Sequence, residues 1–122
     1  MRLTVCQVIR NAGGSVKDAL RSIVISQQLL GTREVLLVKH TDCGMITFQN
    51  SDATEILKKS LGVQAVNAAQ DQFGGDFLPF QDTEEQVKKE IQWLKDNKAI
   101  AEDVALSGWI YDVKTGKVNK VI

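Results

Sequence analysis

Hydrophobic and polar positions along the chain follow two rhythms. Some runs are short and β-branched or continuously apolar, and others place an apolar residue at every third or fourth position. Leu3 to Ile9 (LTVCQVI) is short, rich in β-branched residues and bounded by Asn11-Ala12-Gly13-Gly14, which predicts a strand ending in a tight turn. Ser15 stands three residues before Asp18, the spacing of a capping box, and Val16, Leu20, Ile23, Val24 and Leu30 follow at helical intervals up to Gly31. That spacing predicts a helix over residues 16–30. Glu34 to Lys39 (EVLLVK) contains four consecutive apolar residues and predicts a strand covered on both faces, as in a parallel sheet under helices. Strand, helix and strand with short joints make a right-handed βαβ crossover.

Asp52 to Leu61 reads as a second capped helix with Ile56, Leu57 and Leu61 on one side. Residues 62–81 combine glycines, the only proline and three of the four phenylalanines, which suggests a loop or broken helix that docks its aromatics. Thr83-Glu84-Glu85-Gln86 has capping-box spacing and opens a helix to Asn97 with Val87, Ile91 and Leu94 inward. Val104 to Val113 reads as a strand, followed by a Lys114–Lys117 turn and a short strand over Val118–Ile122. No repeat or linker interrupts the pattern, so residues 1–122 form one domain. The expected architecture is α/β, with a mainly parallel central sheet of about four to five strands and helices on its faces.

Composition narrows the function. Fifteen basic residues balance fifteen acidic ones over 122 residues, so the basic surplus of a sequence-blind nucleic-acid binder is missing. No apolar run exceeds five residues, far below the roughly 20 of a membrane span. Residues 1–9 lack the apolar core of a signal peptide, which points to a cytoplasmic protein. Cys6 and Cys43 are too few for a disulfide scaffold and are expected to be thiols. A net charge of zero offers little repulsion against self-association.

Ligands of open α/β sheets gather beyond the carboxyl ends of the strands, where two loops stand out. In His40-Thr41-Asp42-Cys43-Gly44-Met45 the only histidine precedes a cysteine by three residues, and imidazole and thiolate are both zinc ligands. Two ligands make half a site; the alternative is a buried thiol beside a hydrogen-bonded histidine. Arg10, Asn11, Gly13 and Gly14 precede a helix N-terminus and either hold a small anion or only shape a turn. Asp42 and Gly44 join them as candidate anion- or substrate-binding residues. Cys6, inside the first strand, reads as a small apolar filler. Lys88, Lys89, Lys95 and Lys98, with the acids around them, read as a solvated helix face, and Trp93, Trp109 and Tyr111 as core or interface.

Val8-Ile-Arg-Asn-Ala-Gly-Gly14, Val38-Lys-His-Thr-Asp-Cys-Gly-Met45 and Gly108-Trp-Ile-Tyr-Asp-Val-Lys-Thr-Gly-Lys117, in this order over nearly the whole chain, resemble the β-class carbonic anhydrases. The resemblance implies zinc-dependent reversible hydration of CO2 to bicarbonate, or in relatives hydrolysis of carbonyl sulfide or carbon disulfide. It also implies a homodimer or higher homo-oligomer with sites near the subunit interface. It assigns His40 and Cys43 as zinc ligands. The family's further cysteine belongs to an upstream Cys-x-Asp-x-Arg motif, and only nine residues precede Arg10 here. Cys6 does not replace that cysteine, because Val8 stands where the motif has Asp. The expectation is therefore an incomplete site, with Cys6 or Asp42 of a second copy as the remaining ligand candidates. Zinc is then weakly held or absent, and hydration weak or lost. The alternative is a metal-free binding or regulatory protein that keeps the fold and dimer surface and holds a bicarbonate-like anion. Phe73, Phe77 and Phe80 are expected to repack apolar surface, or an oligomer contact to bury it.

Overall fold

The computed structural model describes residues 6–122. Its elements run α1 (Val16–Leu29), β1 (Glu34–His40), α2 (Asn50–Leu61), α3 (Val63–Phe73), α4 (Thr83–Lys95), β2 (Ala105–Tyr111) and β3 (Val118–Lys120), with short 3-10 turns over Ala12–Gly14 and Gly44–Ile46. This is an α/β fold. β1 pairs with β2 in parallel, from Glu34 opposite Ala105 to His40 opposite Tyr111. β2 then pairs antiparallel with β3 across the 114–117 turn.

The helices start and stop for local reasons. Ser15 caps α1 by accepting the Asp18 N–H, and beyond its end the N–H groups of Leu30 and Thr32 both return to the Ser26 carbonyl across Gly31, whose φ is +75°. α2 begins two residues earlier than the pattern suggests, because Gln49 is the cap and Asp52 its reciprocal partner. α4 is capped by Asp82, which accepts the Glu85 N–H, so the cap lies one residue before Thr83. The helix ends at Lys95 rather than Asn97. Residues 63–73, expected within a loop or broken helix, form α3 as a regular helix that stops at the left-handed Gly74.

Two expectations about the sheet need correction. The described residues contain three strands, not four or five. Leu3 to Val5 lie outside them, and Cys6 to Ile9 are exposed and without strand pairing, with Val8 75% exposed. A strand is defined by its partner, and Cys6 to Ile9 have no strand partner among the described residues. The expected crossover from residues 3–9 through α1 to β1 thus starts outside the described residues, and among them the parallel pair is β1 with β2. Second, among the described residues β1 is covered on one face only. Leu37 and Lys39 are buried, whereas Leu36 and Val38 are 52% and 46% exposed. By strand alternation and register, the open face carries Leu36, Val38 and His40 beside Ser107, Trp109 and Tyr111.

The covered face builds the core. Leu37 packs with Val16, Ala19 and Ile23 of α1, Val87, Ile91 and Leu94 of α4, and Ile100 and Val104. Val87, Ile91 and Leu94 are 0% exposed, as their spacing predicts. Gln27, almost wholly buried, bridges α1 to the loop after α4: its Nε2 donates to the Ala99 carbonyl and its Oε1 accepts the Ala101 N–H. Of the three expected aromatics, Phe80 is buried, Phe77 half-buried and Phe73 half-exposed, the last two meeting edge to face. Ile56 and Leu61 of α2 remain largely exposed. Trp93 packs on the core and Trp109 lies on the open face, its indole N–H donating to Ser107 Oγ.

Candidate functional site

The carboxyl end of β1 delivers the His40–Met45 loop. Thr41 pins its start to the end of β2, with its N–H donating to the Tyr111 carbonyl at 2.9 Å and its Oγ1 accepting the Val113 N–H at 3.0 Å. Asp42 turns the chain with a φ of +55°, a left-handed conformation that aspartate tolerates better than most side chains. Cys43 then leads into the Gly44–Ile46 turn, its carbonyl accepting the Ile46 N–H. His40 is exposed and Cys43 is 5% exposed.

The imidazole has a defined role in this loop. His40 Nδ1 lies 2.7 Å from the Thr41 carbonyl oxygen. A carbonyl only accepts, so Nδ1 carries the proton and, in the neutral ring, the lone pair sits on Nε2. That tautomer is the one a metal ligand needs, with its second nitrogen held by backbone.

The Asn11–Gly14 turn lies against the same loop. A Cβ on Gly13 would come within 2.9 Å of Met45 Cγ, and one on Gly14 within 3.0 Å of the Val38 carbonyl oxygen. Both glycines have positive φ, 72° and 58°, so the close approach and the backbone conformation require the same residue type. Asn11 is committed to the turn: its Oδ1 accepts the Ser15 N–H at 2.6 Å and its Nδ2 donates to the Ser15 carbonyl at 2.9 Å. Arg10 is exposed at the entrance. The two loops singled out in the sequence thus meet at one end of β1.

What holds them together carries no signal in the motifs themselves. Lys39, the neighbour of His40, points into the covered face, where its Nζ lies 2.6 Å from Glu90 Oε2 with side chains 2% and 10% exposed. The same Nζ donates to the Gly13 carbonyl at 2.6 Å and the Gly14 carbonyl at 3.0 Å, and sits 4.6 Å above the Phe80 ring. Glu90 Oε1 accepts the Val16 N–H at 3.0 Å, satisfying a free donor at the start of α1. Glu90 therefore does not belong to the solvated face of α4 to which its charge assigns it. One signal was present: Val87, Glu90, Ile91 and Leu94 share the i, i+3, i+4, i+7 stripe, which places the carboxylate on the apolar side.

Among the described residues, no three His, Cys, Asp or Glu side chains gather closely enough to hold an ion. Cys6 is exposed rather than a strand filler and does not join His40 and Cys43. Catalytic zinc takes about three protein ligands and a water, and His40 and Cys43 are of two ligand types it uses. A cleft of about 250 Å³ opens nearby between Lys17, Lys39, Asp76, Leu78, Glu90 and Trp93, and neither His40 nor Cys43 lines it.

Comparison with known proteins places this arrangement. A family model described as carbonic anhydrase matches residues 3–118. Beta-carbonic anhydrase 1 of Mycobacterium tuberculosis is 37% identical over 115 residues, which cover 93% of this chain and 66% of the relative. The carbonic anhydrase from Glaciozyma antarctica superposes with a TM-score of 0.85 at 45% identity, covering 93% of this chain and 66% of that one. The carbonic anhydrase from Streptococcus mutans gives 0.81 at 51% identity, covering 93% and 65%. The chain thus spans just under two thirds of the length of these relatives. With this coverage, and with both loops in place at the end of β1, the chain belongs to the β-carbonic anhydrase family.

Proposed function

We propose that this chain keeps the family scaffold and half of a zinc site, works as a homodimer or higher homo-oligomer in the cytoplasm, and by itself hydrates CO2 weakly or not at all. The observation that carries this reading is the His40–Cys43 loop, with an imidazole whose Nε2 is free to ligate and a buried thiol three residues on. No third ligand accompanies them among the described residues. A two-ligand set binds zinc far more weakly than a three-ligand one. A bicarbonate-like anion is the small molecule that the glycine turn and Arg10 would favour. Cys6 or Asp42 from a second copy is the proposed source of any further ligand.

The test is zinc content per chain by elemental analysis, on protein purified without added metal or chelator, followed by stopped-flow CO2 hydration. Expected are well under one zinc per chain and a rate not distinguishable from buffer. One zinc per chain with hydration that disappears in His40→Ala would overturn the proposal in favour of a complete enzyme.

A further inference from the structure

The buried ion pair beside His40 has no role in ligation, because strand alternation puts Lys39 on the covered face and His40 on the open one. Its contacts nevertheless reach both loops of the candidate site. On one side Lys39 Nζ holds the Gly13 and Gly14 carbonyls. On the other it sits over Phe80, whose own N–H donates to the Met45 carbonyl at 3.2 Å, two residues beyond Cys43. Glu90 adds the first N–H of α1. A buried pair of this kind is a poor device for stability alone, since the desolvation of two charges offsets most of their attraction, and a well-packed apolar pair serves stability as well or better. Its distinguishing property is direction: an ammonium with three donors fixes the oxygens of the glycine turn and of α4 at once, which no apolar side chain does.

We infer that Lys39 and Glu90 are positioning residues: the pair sets the Asn11–Gly14 turn against the His40–Cys43 loop and so fixes the shape of the half-site. Lys39 acts through the two glycine carbonyls and Phe80, and Glu90 acts through Val16. The consequence for ligand binding rests on the half-site reading above; the positioning itself does not.

The experiment uses the whole chain in a Cys6→Ser background, metal-free, with Lys39→Met/Glu90→Leu as the central variant. Thermal midpoint, amide hydrogen exchange by NMR and the alkylation rate of Cys43 are measured together. The expected result is a midpoint close to the parent's, with exchange at Gly14, Ser15 and Val16 and alkylation of Cys43 each faster by about tenfold or more. A role in stability alone gives the opposite pattern, an altered midpoint with no local change. A variant that folds with parental exchange and alkylation overturns the inference.

If the double variant does not fold, Glu90→Gln is read instead. It keeps an acceptor for Val16 but removes the charge facing Lys39. Exchange then rises at Gly14 while Val16 keeps its protection, and unchanged exchange at Gly14 overturns the inference. Titration with zinc chloride against a chromophoric chelator, on the parent and the double variant with Cys6 restored, separates the two readings. The double variant is expected to bind zinc about tenfold or more weakly than its parent. A parent that takes up no zinc removes the half-site reading and leaves the exchange result standing.

Discussion

Single residues decide how the candidate site is presented. The two thiols differ in exposure, Cys6 open and Cys43 buried, so an excess of a thiol reagent such as Ellman's should modify one cysteine promptly and the second only after opening or denaturation. Prompt reaction of both would contradict the placement of Cys43. Asp76 supplies a pH test nearby. The amide of Asn50, donating at 3.0 Å, does most to hold its carboxyl below the usual value of 3.8, helped by the Leu78 N–H and the charge of Lys17 against an opposing effect of burial. A lowered folded-state pKa means a contribution to stability that is present above the ordinary value and lost as pH falls through the lowered one. The Phe77 and Leu78 amide resonances should therefore titrate with a midpoint below 3.8, and not at all in Asp76→Asn. A midpoint above that value contradicts the hydrogen-bond assignment. At this scale His40, Cys43 and the glycine turn are legible in the sequence because their spacing has a chemical meaning. Lys39 and Glu90 are not, since a charged residue type ordinarily signals solvent, and only the register of each within its apolar stripe says otherwise.

Among the elements, the seam between α4 and β2 leaves no room for a side chain at Gly108. A Cβ on Gly108 would collide with Val87 Cγ1 and lie 3.1 Å from Ile91 Cγ1 and Ile122 Cγ2. Gly108→Ala should force the helix off the sheet, costing about 1–3 kcal/mol as overpacking does, and lower the melting temperature by several degrees. A variant melting with the parent would show that the seam is looser than these distances. Helices are legible in the sequence because caps and apolar stripes are local: α1 and α4 fall within two residues of their predicted bounds. Strands are less so, because pairing is not local. The β-branched run over residues 3–9 signals a strand only if a partner lies alongside, and the continuous apolar run of β1 promised a second covering layer that the described residues do not supply.

For the molecule as a whole, the open sheet face is the main physical fact. Leu36, Val38, Tyr111 and Val118 are each more than a third exposed, and β1 is an edge strand among the described residues. Contiguous apolar surface of this kind, on a chain with no net charge to keep copies apart, favours association. Light scattering behind gel filtration should give a dimer or larger species at micromolar concentration. A monodisperse monomer at that concentration would count against the proposed homo-oligomer. No helix among the described residues is long and apolar enough to cross a membrane.

The parallel pairing of β1 with β2 also bears on how the chain is born. β1 is finished at His40, yet its partner does not begin until Ala105. At about 5–20 residues per second, a ribosome takes on the order of several seconds to cover that interval. Throughout it, the apolar run Val35–Val38 has no β2 to pair with, and an unpaired apolar segment of this kind is prone to pair with neighbouring nascent chains. Yield in a cell should then depend on holdase chaperones and on the pace of translation between these two strands, more than on the stability of the finished fold.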